Sequence, residues 1–136
     1  MTGILYLDTS AVLRAVLESG MTPEIERRLA AADVLITSRL SLVEASRALI
    51  RLRVTGGCSD RALADAGRAL DTLWARCEIW ELTPAVCEAA QTAAPHLALR
   101  TLDALHYATW LLARRRLGEV DLLTADRRLQ EAAGET

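Results

Sequence analysis

Residues 4–11 read Ile-Leu-Tyr-Leu-Asp-Thr-Ser-Ala: four apolar side chains, a carboxylate, and then residues that start a helix. Such a short apolar run is the signature of a buried strand. Ser10 is placed to N-cap a helix reaching about Leu17. A strand that feeds directly into a helix is the opening unit of an α/β fold, and the rest of the chain repeats it. Val34–Thr37, Ile79–Leu82 and Leu122–Thr124 are three further short apolar runs that read as strands.

Helical periods fill the intervals. Pro23 suits a first helical turn, with Glu24 and Glu26 favouring its positive end and Ile25, Leu29 and Ala32 on one face. Leu42, Ala45, Leu49 and Leu52 share a face of the next helix, which ends at the breaker Thr55-Gly56-Gly57. Ser59 or Asp60 caps a helix carrying Leu63, Ala66, Leu70, Leu73, Trp74 and Cys77 at three- and four-residue spacing. Thr83-Pro84 is a cap followed by proline at the first helical position. A helix from about Leu102 to Leu117 stops at Gly118, and Asp126–Ala133 forms a last short one. The expectation is a single α/β domain over residues 1–136, with a mostly parallel sheet of about four to five strands covered by helices on both faces.

At 136 residues and 51% hydrophobic content, the chain is long enough to bury a real core. No apolar run approaches the roughly 18 residues of a membrane span. No basic segment leads into an apolar stretch at the start, so a secretory signal is not expected. Cys58, Cys77 and Cys87 are odd in number and lack C-x-x-C spacing, which argues against a disulfide framework and for a reducing cytoplasm. A net charge of −2 does not suit a protein that coats nucleic acid, though it allows an enzyme that touches a short stretch of it. Every basic residue is arginine, and lysine, asparagine and phenylalanine are absent, as a GC-rich genome would produce. The missing lysine excludes Schiff-base chemistry and a Walker-type phosphate grip.

Four acids stand in distinctive surroundings: Asp8, Glu44, Asp103 and Asp126. Chemistry in open α/β sheets sits beyond the carboxyl ends of the strands. That rule favours Asp8 and Asp126, which follow strands one and four. It sets aside Asp33 and Asp121, which precede strands, and Glu81, which falls inside the third. Asp103 opens a helix that is apolar around most of its circumference, so a buried charge there needs a partner, a proton or a metal. A helix-dipole role or a bridge to Arg100 is the structural alternative. Glu44 on its own reads as a solvated partner of Arg47, and Asp8 equally as a turn or cap residue or as a site acid. Were the fold to gather all four, divalent cations would be needed between them.

Taken together, these segments resemble the PIN-domain ribonucleases, and more closely the VapC-type toxins of bacterial toxin–antitoxin pairs. The resemblance runs from about Leu5 to Leu129. It is carried by Y-L-D-T-S-A around Asp8, L-S-L-V-E-A-S-R-A-L around Glu44, L-R-T-L-D-A-L-H-Y-A around Asp103 and L-L-T-A-D-R-R-L around Asp126. It implies a single PIN-like domain whose metal-site and catalytic residues are Asp8, Glu44, Asp103 and Asp126. Ser10 and Thr124 would support metal-associated water, and Asp126, whose position varies in the family, would bind most loosely. It further implies Mg²⁺, with Mn²⁺ as substitute, and RNA hydrolysis by activated water leaving a 5′-phosphate and a 3′-hydroxyl. A homodimer and a VapB-type antitoxin lying over about residues 11–17 and 23–52 are also implied.

Arg127 and Arg128, next to Asp126, are placed to contact RNA phosphates, whereas Arg114-Arg115-Arg116 suits the negative end of its own helix. His106 reads as a locally hydrogen-bonded histidine, and Trp74, Trp80 and Trp110 as core or interface. Two competing functions are a catalytically inactive PIN-like binding module and a haloacid-dehalogenase-like phosphatase. The phosphatase needs a second Asp where Ser10 stands, and normally a lysine.

Overall fold

The computed structural model describes residues 3–18 and 20–134. The elements are β1 (Ile4–Leu7), α1 (Thr9–Leu17), α2 (Pro23–Ala31), β2 (Val34–Ser38), α3 (Arg39–Thr55) and α4 (Asp60–Arg76). They continue with β3 (Cys77–Trp80), α5 (Pro84–Thr92), α6 (Thr101–Leu117), β4 (Asp121–Leu123) and α7 (Arg127–Gly134). All strand pairs among the described residues are parallel, in the order β3-β2-β1-β4. The α/β expectation holds, with four strands.

The period-two alternation of β1 sorts the core into two layers. Leu5 and Leu7 pack with Leu35, Val12, Ile25, Leu29, Ala45, Leu70 and Leu73, which brings α1 to α4 onto one face. Tyr6 and Ile36 point the other way, into a layer with Tyr107, Trp110, Val120 and Leu129 from α6 and α7. Trp110 is buried and its indole N–H donates to the Val120 carbonyl at 2.8 Å, tying α6 to the approach of β4. Trp74 and Trp80 are half-buried against the two layers, as core residues.

The strand order positions the site. From β1 the chain moves outward through β2 to β3, then returns to place β4 on the other side of β1. The point where direction reverses, beyond the carboxyl ends of β1 and β4, is where open α/β sheets bind ligands.

Several boundaries differ from expectation. Helix α1 is capped by Asp8, whose carboxylate accepts from the Ala11 N–H, and not by Ser10. An aspartate accepts at this position as well as serine does, and here it frees Ser10 for another contact. Strand β3 lies two residues earlier than its apolar pattern implied, so Glu81 follows it and forms a bidentate exposed pair with Arg39 at 3.0 and 2.6 Å. Helix α3 closes on Gly56 at φ 72°, a left-handed C-cap that glycine adopts without penalty. The three cysteines are unpaired. Among the described residues, no helix is long and apolar enough to cross a membrane.

Candidate active site

Asp8 sits one residue beyond β1 and is only 3% exposed. The Ala11 N–H at 3.0 Å and the Ser10 hydroxyl at 2.7 Å reach Oδ1, and the Thr124 hydroxyl reaches Oδ2 at 2.5 Å. Ser10 also lies 2.9 Å from Oδ2, 3.1 Å from Thr124 Oγ1, and accepts from the Ala125 N–H at 2.9 Å. Three donor hydrogens thus serve a carboxylate that can accept about four. Burial raises the Asp8 pKa, and the bonds from Thr124, Ala11 and Ser10 oppose that rise.

Asp126 follows β4 and starts α7, where Oδ1 accepts from the N–H groups of Arg128 at 2.7 Å and Leu129 at 3.2 Å. Its own N–H donates to Thr124 Oγ1 at 2.9 Å. One threonine hydroxyl therefore touches both strand-end acids. Gln130 donates to the Thr124 carbonyl at 3.1 Å and fixes the same turn.

Glu44 lies in the second turn of α3, half-buried. Its Oε1 accepts from the Thr9 hydroxyl at 2.6 Å and stands 2.8 Å from His106 Nε2. Burial alone would raise its pKa, but hydrogen bonds from His106 and Thr9, with nearby positive charge, hold it below the ordinary glutamate range. The solvated Glu44–Arg47 pair does not form; His106 takes that place.

Asp103 is in the first turn of α6. That turn is less buried than its apolar sequence suggested: Leu102 is 46% exposed, and full burial begins at His106. No ion pair joins Asp103 to Arg100 among the described residues. Partial burial raises its pKa, and the charges of Asp126 and Asp8 raise it further. Glu44, Asp103 and Asp126 line one cleft of about 640 Å³ with Arg100, Thr101, Leu102 and Arg128. A cleft of about 700 Å³ elsewhere is lined by Trp80, Val86 and Leu112, with Arg116 at its edge. It contains none of the four acids.

The PIN-domain family model matches residues 5–135. The chain is a PIN-domain protein. This PIN-domain protein is 35% identical over 139 residues to Ribonuclease VapC35 of Mycobacterium tuberculosis, spanning 96% of this chain and 90% of the relative. It is 33% identical over 137 residues to Ribonuclease VapC45 of the same species, spanning 96% and 89%. Its fold is similar to PAE2754 of Pyrobaculum aerophilum at TM-score 0.66 and 21% identity, covering 96% of this chain and 80% of the other. M. tuberculosis VapC20, described as a sarcin–ricin loop cleaving toxin, matches at TM-score 0.64 and 20% identity, covering 94% of each. VapBC2 of Rickettsia felis, crystallised with a promoter DNA fragment, matches at TM-score 0.58 and 14% identity, covering 90% of this chain and 99% of the other.

Within the PIN domain, the sequence had pointed to Asp8, Glu44, Asp103 and Asp126, and the fold brings all four to one end of the sheet. Asp33 and Asp121 lie at the opposite end, bonded to the Gly3 N–H at 2.7 Å and facing Arg28 at 3.7 Å. Ser10 and Thr124 lie against Asp8. Arg128 lines the cleft and Arg127 does not. Arg114 and Arg116 lie over the rings of Trp110 and Trp80, at 4.8 and 5.9 Å, away from the acids. Thr9, Arg100 and the bridging role of His106 had no adequate sequence signal. His106 sits one helical turn past Asp103, but its partners are 62 and 100 residues away.

The donor set suits a hard divalent cation: all four acids offer oxygen, and no arginine neutralises Asp8, Asp103 or Asp126 among the described residues. The mutual repulsion that raises the Asp103 pKa is what a cation would relieve. Among the described residues, no three ligating side chains close into a ready-made metal cage.

Proposed function

We propose that this chain is an endoribonuclease of the VapC kind, dependent on Mg²⁺ or Mn²⁺, that hydrolyses RNA phosphodiester bonds as the toxin of a toxin–antitoxin pair. The observation that carries this reading is the convergence of Glu44, Asp103 and Asp126 on one cleft beside buried Asp8. Relatives named ribonucleases, at 33–35% identity over nearly the whole chain, support it.

The four acids would hold the metal, with Asp126 expected to be the weakest member. When bound, the metal supplies an acidified water as nucleophile and charge stabilisation at the scissile phosphate. Ser10 and Thr124 orient Asp8. Arg100 and Arg128 flank the acids in the cleft, and their guanidinium groups suit bidentate phosphate contact. They would place the RNA backbone against the carboxylates. Arg127 stands just outside, for the neighbouring phosphate.

A VapB-type antitoxin is the proposed regulatory partner, as the VapC names of the relatives suggest. The exposed apolar side chains Val43 and Ile50, within residues 23–52, offer it contact area. A homodimer and a cytoplasmic location belong to the same reading. For a haloacid-dehalogenase-like phosphatase, the position of the second aspartate is taken by Ser10, which here donates to Asp8.

The test is expression of the wild type beside Asp8→Asn, with RNA 5′ ends mapped in Mn²⁺ and in excess EDTA. New 5′-phosphate ends should appear only with wild type and metal. Full cleavage by Asp8→Asn, or cleavage undiminished in EDTA, would overturn the reading. Absence of Mn²⁺ binding would favour an inactive binding module.

A further inference from the structure

His106 is the one histidine buried in the fold, at 3% exposure, and the chemistry above does not use it. Both ring nitrogens are engaged. Nε2 lies 2.8 Å from Glu44 Oε1 and 3.1 Å from Thr9 Oγ1, and Nδ1 lies 2.9 Å from the Tyr6 hydroxyl. These partners come from three other elements: β1, α1 and α3.

The direction of the Nε2 hydrogen bond follows from its carboxylate partner. An ionised Glu44 only accepts, so Nε2 carries the proton. In the neutral ring Nδ1 is then an acceptor, and the Tyr6 hydroxyl donates to it. The Thr9 hydroxyl donates to the same Glu44 oxygen at 2.6 Å. Two donors therefore converge on Oε1, while Oε2 accepts no hydrogen bond among the described residues. Glu44 lines the acidic cleft, so the carboxylate is gripped by one oxygen and presents the other.

We propose that His106 is a positioning residue for Glu44: with Thr9 it fixes Oε1 so that Oε2 is held toward the cleft for a divalent cation. Tyr6, fully buried in β1, anchors the far side of the ring and so references Glu44 to the strand that carries Asp8. The two acids stand 36 positions apart in sequence, and this relay sets their relative placement. The inference rests on the reading of Glu44 as a metal-site acid. It adds how a side chain on a surface helix is kept from swinging into solvent.

The test is Mn²⁺ binding by the full chain, read from the loss of the free-ion electron paramagnetic resonance signal, beside RNA cleavage and thermal unfolding in EDTA. His106→Leu should weaken Mn²⁺ binding about 10- to 100-fold, as loss of a hydrogen bond that orients a ligand does, with cleavage falling in parallel. His106→Gln, whose amide N–H can replace the Nε2 donor, should recover most of that affinity. A merely structural histidine would lower the unfolding temperature and leave the Mn²⁺ affinity of the folded protein unchanged. Should His106→Leu fail to fold, Thr9→Val and Tyr6→Phe carry the comparison, each expected to weaken binding several-fold.

Wild-type affinity, within about twofold, in folded His106→Leu (or in both substitute variants) overturns the positioning role, as does a folded His106→Gln no better than His106→Leu. If Asp8→Asn loses Mn²⁺ in the same experiment, the metal-site reading stands while the positioning role falls. If the wild type binds no Mn²⁺, the metal-site reading falls and this role with it.

Discussion

The Thr124 hydroxyl donates to Asp8 Oδ2 at 2.5 Å across 116 positions of sequence, and its oxygen also accepts the Asp126 N–H at 2.9 Å. One side chain thus joins the two strand-end acids at the point where the sheet order reverses. Thr124→Val keeps the volume and removes the hydroxyl. It should lower kcat/KM for RNA about 10- to 100-fold, the usual effect of losing a hydrogen bond that orients a metal ligand. It should also cost about 1–3 kcal/mol, because buried Asp8 loses a donor. Thr124→Ser should retain most activity. Steady-state cleavage and urea unfolding of the three proteins check both effects; wild-type activity in Thr124→Val would remove Thr124 from the site.

Trp110 holds β4 in place. Its indole N–H bonds the Val120 carbonyl at 2.8 Å, its ring packs on Tyr107 at a centroid distance of 5.6 Å, and the Arg114 guanidinium lies over it at 4.8 Å. Trp110→Phe leaves that carbonyl unbonded and opens a gap in the α6–α7 layer. The expected loss is about 2–4 kcal/mol, from the unmet hydrogen bond and the removed ring atoms together. Urea denaturation measures it. A loss below about 1 kcal/mol would mean that the approach to β4 is held by other contacts.

How much of this was readable in the chain depends on the range of the interaction. The strands, the helix faces and the α/β class rest on local periodicity, and these were legible. The strand-end rule separated Asp8 and Asp126 from Asp33 and Asp121 because it needs only strand direction. It misplaced Glu81, since Cys77 reads equally well as the last apolar residue of α4 or the first of β3. Serine is a favoured cap and Ser10 stands at the start of α1, yet Asp8 fills that role and Ser10 turns to the carboxylate. Glu44 was legible only through the family motif. Its partners Thr9 and His106 are 35 and 62 residues away, and a helical wheel offers only Arg47. Long-range polar pairing has no local signature, so the network behind the acids stayed hidden.

Arg100 and Arg128 line the acidic cleft, whereas Arg127 is exposed outside it. A phosphate contact contributes a counterion-release term, so each lost contact should reduce the salt dependence of RNA binding by about one unit of slope or slightly less. Arg128→Ala and Arg100→Ala should each raise KM several-fold and flatten the plot of log affinity against log salt, with Arg127→Ala doing less. Binding to the inactive Asp8→Asn background at several salt concentrations separates the three. Equal slopes in all variants would place the RNA path elsewhere.

The last expectation concerns the metal-free protein, where Asp103 is a strained neighbour of like charges. Its pKa is raised by partial burial and by Asp126 and Asp8, so the folded state binds its proton more tightly than the unfolded chain does. Stability is then lowest well above that raised value and recovers as pH falls through it toward the ordinary aspartate range near about 3.9. Asp8, also raised, adds a contribution of the same sign. Glu44 has the opposite sign: its depressed pKa supplies stability present above about 4.3 and lost below it. Above the ordinary glutamate range near about 4.3 the raised acids therefore act without opposition from Glu44. In EDTA, Asp103→Asn should be as stable as wild type or more so at pH 7, by less than about 1 kcal/mol since solvent screens this half-exposed group. The difference should shrink as pH falls toward the ordinary aspartate range near about 3.9, where the Asp103 carboxylate takes up its proton. The same substitution should abolish cleavage and metal binding, so that a change which relieves the folded protein removes its activity. Urea midpoints from pH 7 down to the ordinary aspartate range, with and without Mn²⁺, measure this. A variant less stable than wild type at pH 7 would show that the Asp103 carboxylate is held by favourable contacts and not strained by its neighbours.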